Sequence, residues 1–178
     1  MIRRFLLLVA LSVAGSPLSA NALDRESQTV SPMASARDRI RTDTPSGLPV
    51  PRFVSLKTVK TNCRSGPSFS HPIRFVFVRR GLPVQIIAET TDYWRKVRDA
   101  DGDECWIHRS KLSGTSMALV VRDGVALRAG PFSTAHPRAH LGLGLIARVH
   151  REQGGWLQVS AGGAKGWAIR DGFWGGTP

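Results

Sequence analysis

The sequence lacks a long apolar segment and several motifs that mark particular classes of enzyme. Its longest apolar run spans only residues 5–14, and no later segment is apolar enough to cross a bilayer. It contains two cysteines, which do not have the Cys-x-x-Cys spacing of a redox-active pair. Neither a Gly-x-Ser-x-Gly nor a His-Glu-x-x-His step occurs. The sequence therefore predicts no membrane span, no catalytic residue, no metal site and no cofactor.

Acidic side chains are also scarce. The chain has 25 Lys and Arg against 13 Asp and Glu, a formal net charge of +12. Residues 23–50 carry four basic and four acidic side chains. The excess positive charge of the predicted mature protein therefore lies after residue 50. A basic exported protein favours anionic partners such as wall polymers, phospholipid head groups or acidic proteins. The alternative is ordinary solvated surface charge.

The first residues are typical of an export signal. Arg3 and Arg4 precede the apolar run, and Ala20-Asn21-Ala22 fits a cleavage site. We therefore expect residues 1–22 to be a signal peptide that is cleaved near Ala22, and the mature protein to be periplasmic or secreted. Nucleic acid is not an expected partner outside the cytoplasm. Residues 23–51 are rich in Ser, Thr, Pro and charge without an apolar period, which predicts a disordered leader.

The remaining sequence contains one unit twice. The hexapeptide NCRSGP at residues 62–67 returns as ALRAGP at residues 126–131. A Trp-x-x-Val step follows in each copy, starting at Trp94 and at Trp156, and a second tryptophan ends each copy. Self-similarity at one period indicates two copies of one structural unit.

The predicted secondary structure is the same in both copies. Short β-branched and aromatic runs lie between turns rich in Gly, Pro and Asp, which is typical of antiparallel strands. No stretch keeps the 3.6-residue period of an amphipathic helix. The sequence therefore predicts an all-β chain with two small tandem barrels, at residues 52–114 and 115–178.

The repeated motifs resemble a known family. The Arg-x-Gly-Pro step, the Trp-x-x-Val step and the Gly-x-x-Gly/Cys-Trp return are similar, in this order, to the bacterial SH3-like domains found in tandem in exported proteins. The resemblance covers residues 53–175. It implies an SH3-like barrel of about five strands in each copy, often associated with cell-wall or envelope components and without catalysis of its own.

The two cysteines occupy positions at which the second copy has other residues. Cys63 corresponds to Leu127, and Cys105 corresponds to Gly166. Because both departures fall in the same copy, we expect the two side chains to touch and to form one disulfide in an oxidising compartment. This bridge would leave no free thiol for a Cys–His hydrolase.

The middle strand offers candidate ligand-binding residues. Side chains alternate between the faces of a strand, so a core position for Val97 would place Trp94 and Lys96 on the outer face. An aromatic platform beside cations suits sugars, peptides or extended chains. We expect a ligand to lie across Tyr93, Trp94 and Lys96, with Trp156 as the equivalent in the second copy. The alternative is that each tryptophan covers the end of a core and contacts no ligand.

Arg64 and Arg128 occupy equivalent turn positions before a Gly-Pro step. Their presence in both copies favours a structural role, in which each guanidinium holds turn carbonyls or an acidic side chain. The alternative is contact with a carboxylate or phosphate of a ligand.

These observations predict a non-catalytic exported binding module for a cell-envelope ligand, either peptidoglycan or a wall-associated protein. One alternative is a structural adaptor whose two barrels pack together and present a basic face to a partner protein. A third hypothesis is an envelope hydrolase whose site has no recognisable motif.

Overall fold

The structure is a computed structural model that describes residues 40–176. The predicted signal peptide, residues 1–22, and residues 23–39 of the predicted leader lie outside the described residues. Between residues 40 and 176 the chain is all-β, apart from two one-turn 3-10 helices, Arg109–Lys111 and Arg170–Gly172. No helix within this range is long and apolar enough to span a membrane.

Seven strands form the first sheet, in the spatial order β3-β2-β6-β5-β4-β1-β7. Apolar and β-branched residues alternate with polar ones along several of them, and Gly, Pro and Asp turns separate them. The strands are β1 (Arg52–Leu56), β2 (Thr61–Arg64), β3 (Ile73–Phe77), β4 (Pro83–Glu89), β5 (Trp94–Arg98), β6 (Glu104–His108) and β7 (Leu112–Ser113).

The second sheet repeats this topology, with the order β10-β9-β13-β12-β11-β8-β14. Equivalent residues also hold equivalent registers, because Arg64 lies opposite Trp106 and Arg128 lies opposite Trp167. The strands are β8 (Met117–Val120), β9 (Val125–Arg128), β10 (Pro137–Leu141), β11 (Ile146–Gln153), β12 (Trp156–Ala161), β13 (Ala164–Ile169) and β14 (Phe173–Gly175). The predicted all-β fold of two tandem units is confirmed.

Each sheet has more strands than the five or so that the resemblance implies. The additional pairs join the ends of each copy: β1 pairs with the two-residue β7, and β8 pairs with the three-residue β14. Strands this short follow a turn directly and show no alternation of their own, so the sequence pattern does not reveal them.

Each sheet curls around its own apolar core. The predicted alternation on the middle strands holds, because Val97 and Val159 are both fully buried. The largest buried side chains of the first core are Leu56, Val84, Ile86 and Ile107, and those of the second core include Val120, Leu127, Leu157 and Phe173.

The predicted disulfide is confirmed. Cys63 on β2 is bonded to Cys105 on β6, with their Cα atoms 5.5 Å apart. In the second copy Leu127 packs against Gly166 at the same place. The contact is so close that a Cβ added to Gly166 would lie only 2.9 Å from Cγ of Leu127. The two copies thus join the same strand pair in different ways, one covalently and one by van der Waals contact.

The last part of the predicted leader is ordered, which corrects the prediction of disorder up to residue 51. The backbones of Arg41 and Val50 exchange hydrogen bonds of 2.7 and 2.8 Å. Val50 is buried in the first core, and the Ser46 N–H donates to Glu89 Oε2 at 3.1 Å. A single apolar anchor and paired polar groups hold this segment, although it has no apolar period.

The two barrels contact each other directly. The rings of Phe53 and Trp174 meet edge to face with centroids 5.0 Å apart. Arg79 Nη2 donates to the carbonyl oxygen of Gly144 at 2.6 Å. Ser55 Oγ donates at 3.0 Å to the carbonyl oxygen of Thr115, in the segment that connects β7 to β8. Hydrogen bonds and aromatic packing therefore fix the barrels against each other.

Candidate functional site

A groove beside Trp94 on the first barrel combines cations with aromatic rings. Its volume is about 200 Å³. Three of the side chains around it are cationic and none of the described residues that line it is a carboxylate, so it is suited to an anionic ligand. The residues that line this Trp94 groove are Lys60, Asn62, Arg64, Phe69, Trp94, His108, Ser110 and Lys111.

Trp94 itself is buried, with only 4% of its surface exposed. Its ring centroid lies 4.9 Å from that of Phe69 and 5.5 Å from that of His108, and these two rings cover it. The prediction that Trp94 stands exposed on the outer face is therefore wrong. Phe69, which is 69% exposed, is the aromatic surface that a ligand would meet.

The two equivalent arginines hold equivalent turns. Arg64 Nη1 donates to the carbonyl oxygen of His71 at 2.6 Å, and Arg128 Nη1 donates to that of Ala135 at 2.9 Å. This confirms the predicted structural role. In the first copy the guanidinium also lies 5.8 Å from the Phe69 ring centroid and lines the groove.

The other polar residues of the groove come from its two edges. Lys60 precedes β2, while Ser110 and Lys111 belong to the 3-10 turn after β6. His108 Nδ1 and Ser110 Oγ are 2.8 Å apart, a hydrogen bond that fixes the imidazole plane over the groove. Lys60 and Lys111 are both exposed, so their ammonium groups are free to turn toward a ligand.

The second barrel does not reproduce this chemistry. Trp94 lies opposite His108, and Trp156 lies opposite Ile169, so the register identifies the counterparts. Two of the three cations are replaced by glycine and one serine is replaced by an acid. The counterparts of Lys60, Asn62, His108, Ser110 and Lys111 are Gly124, Ala126, Ile169, Asp171 and Gly172.

Tyr93 adopts a backbone conformation that favours glycine, with φ of 66°. Its counterpart in the second copy is Gly155, with φ of 78°. The Tyr93 ring is half exposed and stacks under the guanidinium of Arg109, whose Cζ lies 3.9 Å from the ring centroid. Tyr93 is thus adjacent to the groove in sequence but does not line it.

Lys96 is directed to a different depression, where its Nζ lies 2.6 Å from Glu104 Oε2. The hydrogen bond from Lys96 lowers the pKa of Glu104; burial opposes this shift and Arg98 adds to it. Trp156 belongs to the other barrel and is half buried. The structure therefore does not bring Lys96, Tyr93 or Trp156 into the groove with Trp94, and their part in binding stays a prediction.

The sequence analysis missed Lys60, Phe69, His108 and Lys111 as site residues. A signal was present in the repeat itself, since Lys60 and Lys111 stand where the second copy has glycine. Phe69 is an aromatic residue in a turn rich in Ser and Pro, where no strand period explains it. Its distance in sequence from the middle strand hid its contact with Trp94.

A family model agrees with this geometry. The model described as the bacterial SH3 domain matches the chain twice, at residues 57–114 and 121–175. The chain belongs to the bacterial SH3 domain family. Bacterial SH3 domains often bind cell-wall ligands. No curated protein matches the chain.

Solved structures give weaker similarities. NlpC2 from Trichomonas vaginalis is 12% identical with a TM-score of 0.32; the match covers 70% of this chain and 48% of that one. NlpC1 from the same organism is 15% identical with a TM-score of 0.31, over 69% of this chain and 45% of that one. This bacterial SH3 chain thus spans about half the length of either protein.

The described residues also bear on the chemistry and location of this bacterial SH3 protein. Among residues 40–176, no three His, Cys, Asp or Glu side chains lie close enough to hold a metal ion. Both cysteines of the chain are in the disulfide. The disulfide and the domain family are compatible with an extracellular or periplasmic location.

Proposed function

We propose that this protein is a non-catalytic binding module that attaches to peptidoglycan through the Trp94 groove. The observation that carries the proposal is the groove itself, which residues 40–176 line with three cations, an exposed phenylalanine and no carboxylate. The corresponding face of the second barrel has lost two of these cations. The first barrel is therefore the binding barrel, and the second supports it.

Peptidoglycan has the chemistry that this groove is suited to recognise. Its peptide stems carry carboxylates, which pair with guanidinium and ammonium groups. Its sugar rings and aliphatic side chains present apolar faces, which pack on an exposed aromatic ring such as that of Phe69. The absence of a free thiol from the chain supports a role without cysteine catalysis.

The test is co-sedimentation with purified peptidoglycan sacculi, in which Phe69→Ala is compared with Phe132→Ala. The two phenylalanines follow the Gly-Pro steps of the two copies and are 69% and 55% exposed. We expect Phe69→Ala to weaken binding by about tenfold, or ~1.4 kcal/mol, because it removes the exposed aromatic contact. Phe132→Ala should bind like the wild type.

Trp94→Ala is not a suitable variant, because removing a buried aromatic side chain costs about 3–5 kcal/mol of stability. Equal losses in Phe69→Ala and Phe132→Ala would contradict the assignment of the groove. Pelleting that high salt abolishes and that neither phenylalanine affects would instead favour the basic adaptor, since exposed charge interactions are screened by salt.

A further inference from the structure

A second cationic depression lies between the two barrels. Its volume is about 420 Å³, and both barrels contribute to it. Lys57 and Arg80 come from the first barrel, and Arg148 comes from β11 of the second. We call it the inter-barrel cleft.

The cations of the cleft have no ionic partner among the residues that the structure describes. All three are exposed, and within residues 40–176 no carboxylate forms an ion pair with Lys57, Arg80 or Arg148. No carboxylate among residues 40–176 lines the cleft either. Ser113 Oγ and Thr115 Oγ1 line it 2.9 Å apart and hydrogen-bond to each other, which leaves one hydroxyl proton for a ligand. Three unneutralised cations beside a hydroxyl donor are suited to an oxyanion.

The cleft is formed before any ligand arrives. The bond from Arg79 to the Gly144 carbonyl joins the two barrels, and the bond from Ser55 to the Thr115 carbonyl holds the segment that connects them. A preformed site loses little conformational entropy when it binds.

The cleft adjoins the Trp94 groove across one pair of residues. Lys57 N–H donates to the Lys111 carbonyl oxygen at 2.8 Å, which continues the pairing of Leu56 with Leu112 by one residue. The two lysines are thus joined backbone to backbone at neighbouring positions, and like charges on directly neighbouring positions repel. Lys57 lines the cleft while Lys111 lines the groove.

We propose that the groove and the cleft form one track, which holds a single extended chain that carries repeated oxyanion groups. One anionic group lies among Lys60, Arg64 and Lys111, and a later one lies among Lys57, Arg80 and Arg148. An anion near the Lys57–Lys111 pair offsets its repulsion. For the groove half of the track, this proposal rests on one part of the proposed function, namely that the Trp94 groove is a ligand-binding site.

The test measures binding of two soluble probes by titration calorimetry: oligogalacturonate, which repeats a carboxylate, and linear polyphosphate, which repeats a phosphate. Each is used as a dimer and as a long oligomer. We expect the long oligomer to bind about tenfold more tightly than the dimer.

Arg148→Gln and Lys60→Gln should each remove most of that gain. Arg122→Gln removes a cation that is also exposed but lines neither depression, and it should change nothing.

The outcomes separate this proposal from the proposed function. Tighter binding of oligogalacturonate would assign carboxylates as the repeated group, and tighter binding of polyphosphate would assign phosphates. If Arg148→Gln has no larger effect than Arg122→Gln on either long oligomer, the track is overturned even if sacculi bind through Phe69. Oligomer binding that depends on Arg148 and Lys60, without any binding of sacculi, would support the track and contradict attachment to peptidoglycan.

Discussion

Replacing Cys63 and Cys105 together by alanine is expected to lower the free energy of unfolding of the first barrel by about 4 kcal/mol. The bridge closes a loop with a sequence separation of 42 residues, and losing it restores the freedom of that loop in the unfolded chain. A barrel of this size has a small core, so this is a large share of its stability. Urea unfolding of the oxidised wild type and of the double variant measures the difference.

The second copy supplies a matched control. Cys63→Leu combined with Cys105→Gly installs the pair that the second barrel uses, in which the leucine packs against the glycine. This variant should lose the cross-link but fill the space, and so be about 1 kcal/mol more stable than the double alanine variant. Reductant should lower the urea midpoint of the wild type and leave both variants unchanged. A wild-type midpoint that does not respond to reductant would contradict a stabilising bridge.

The repeat explains why so much of the fold could be predicted from the sequence. Because the two copies share one fold, the strand pattern predicted for one could be compared with that of the other. Cys63 and Cys105 are two positions at which the first copy differs from the second, so they could be recognised as one contact. The ordering of residues 41–50 could not be predicted in this way, because it depends on a single buried valine and on a carboxylate distant in sequence. Local composition carries no sign of such contacts.

The candidate site was harder to predict for a physical reason. Strand alternation correctly assigns Trp94 to the face opposite Val97, but it does not show what covers that face. Phe69 covers it from a turn 25 residues earlier, and its position depends on how that turn folds back over β5 and β6. The cations of the groove also come from turns, whose side-chain directions have no fixed period.

A second large effect is expected from Glu89, whose side chain is fully buried in the first barrel. It forms an ion pair with Arg52 and lies 3.1 Å from Arg95 Nε, and Oε2 accepts the N–H of Ser46. Glu89→Gln leaves two nearly buried guanidinium groups without their anion, so we expect a loss of about 3 kcal/mol. Urea unfolding measures this loss. Hydrogen exchange at the amides of Arg41 and Val50 should accelerate, because Ser46 is tied to the same carboxylate.

The second copy again provides the control. Glu89 lies opposite Arg95, whereas its counterpart Glu152 lies opposite Leu157. Glu152 is exposed and 4.0 Å from Arg170, so Glu152→Gln should change stability by at most about 0.5 kcal/mol. A comparable loss in both variants would show that burial of Glu89 adds nothing to its contribution.

The same carboxylate makes the first barrel sensitive to acid. Burial opposes ionisation of Glu89, but hydrogen bonds from Ser46 and Arg52 and the charges of Arg52 and Arg95 outweigh it, so its pKa is lowered. A carboxyl group whose pKa is lowered by folding stabilises the folded state. This contribution is fully present above the pKa of the unfolded chain, about 4.3 for Glu. This stability is lost as the pH falls through the folded-state pKa. The free energy of unfolding of the wild type should therefore fall below about pH 5, and Glu89→Gln should have a shallower slope there. Equal slopes for the two proteins would show that Glu89 has the same pKa in the folded and unfolded chains.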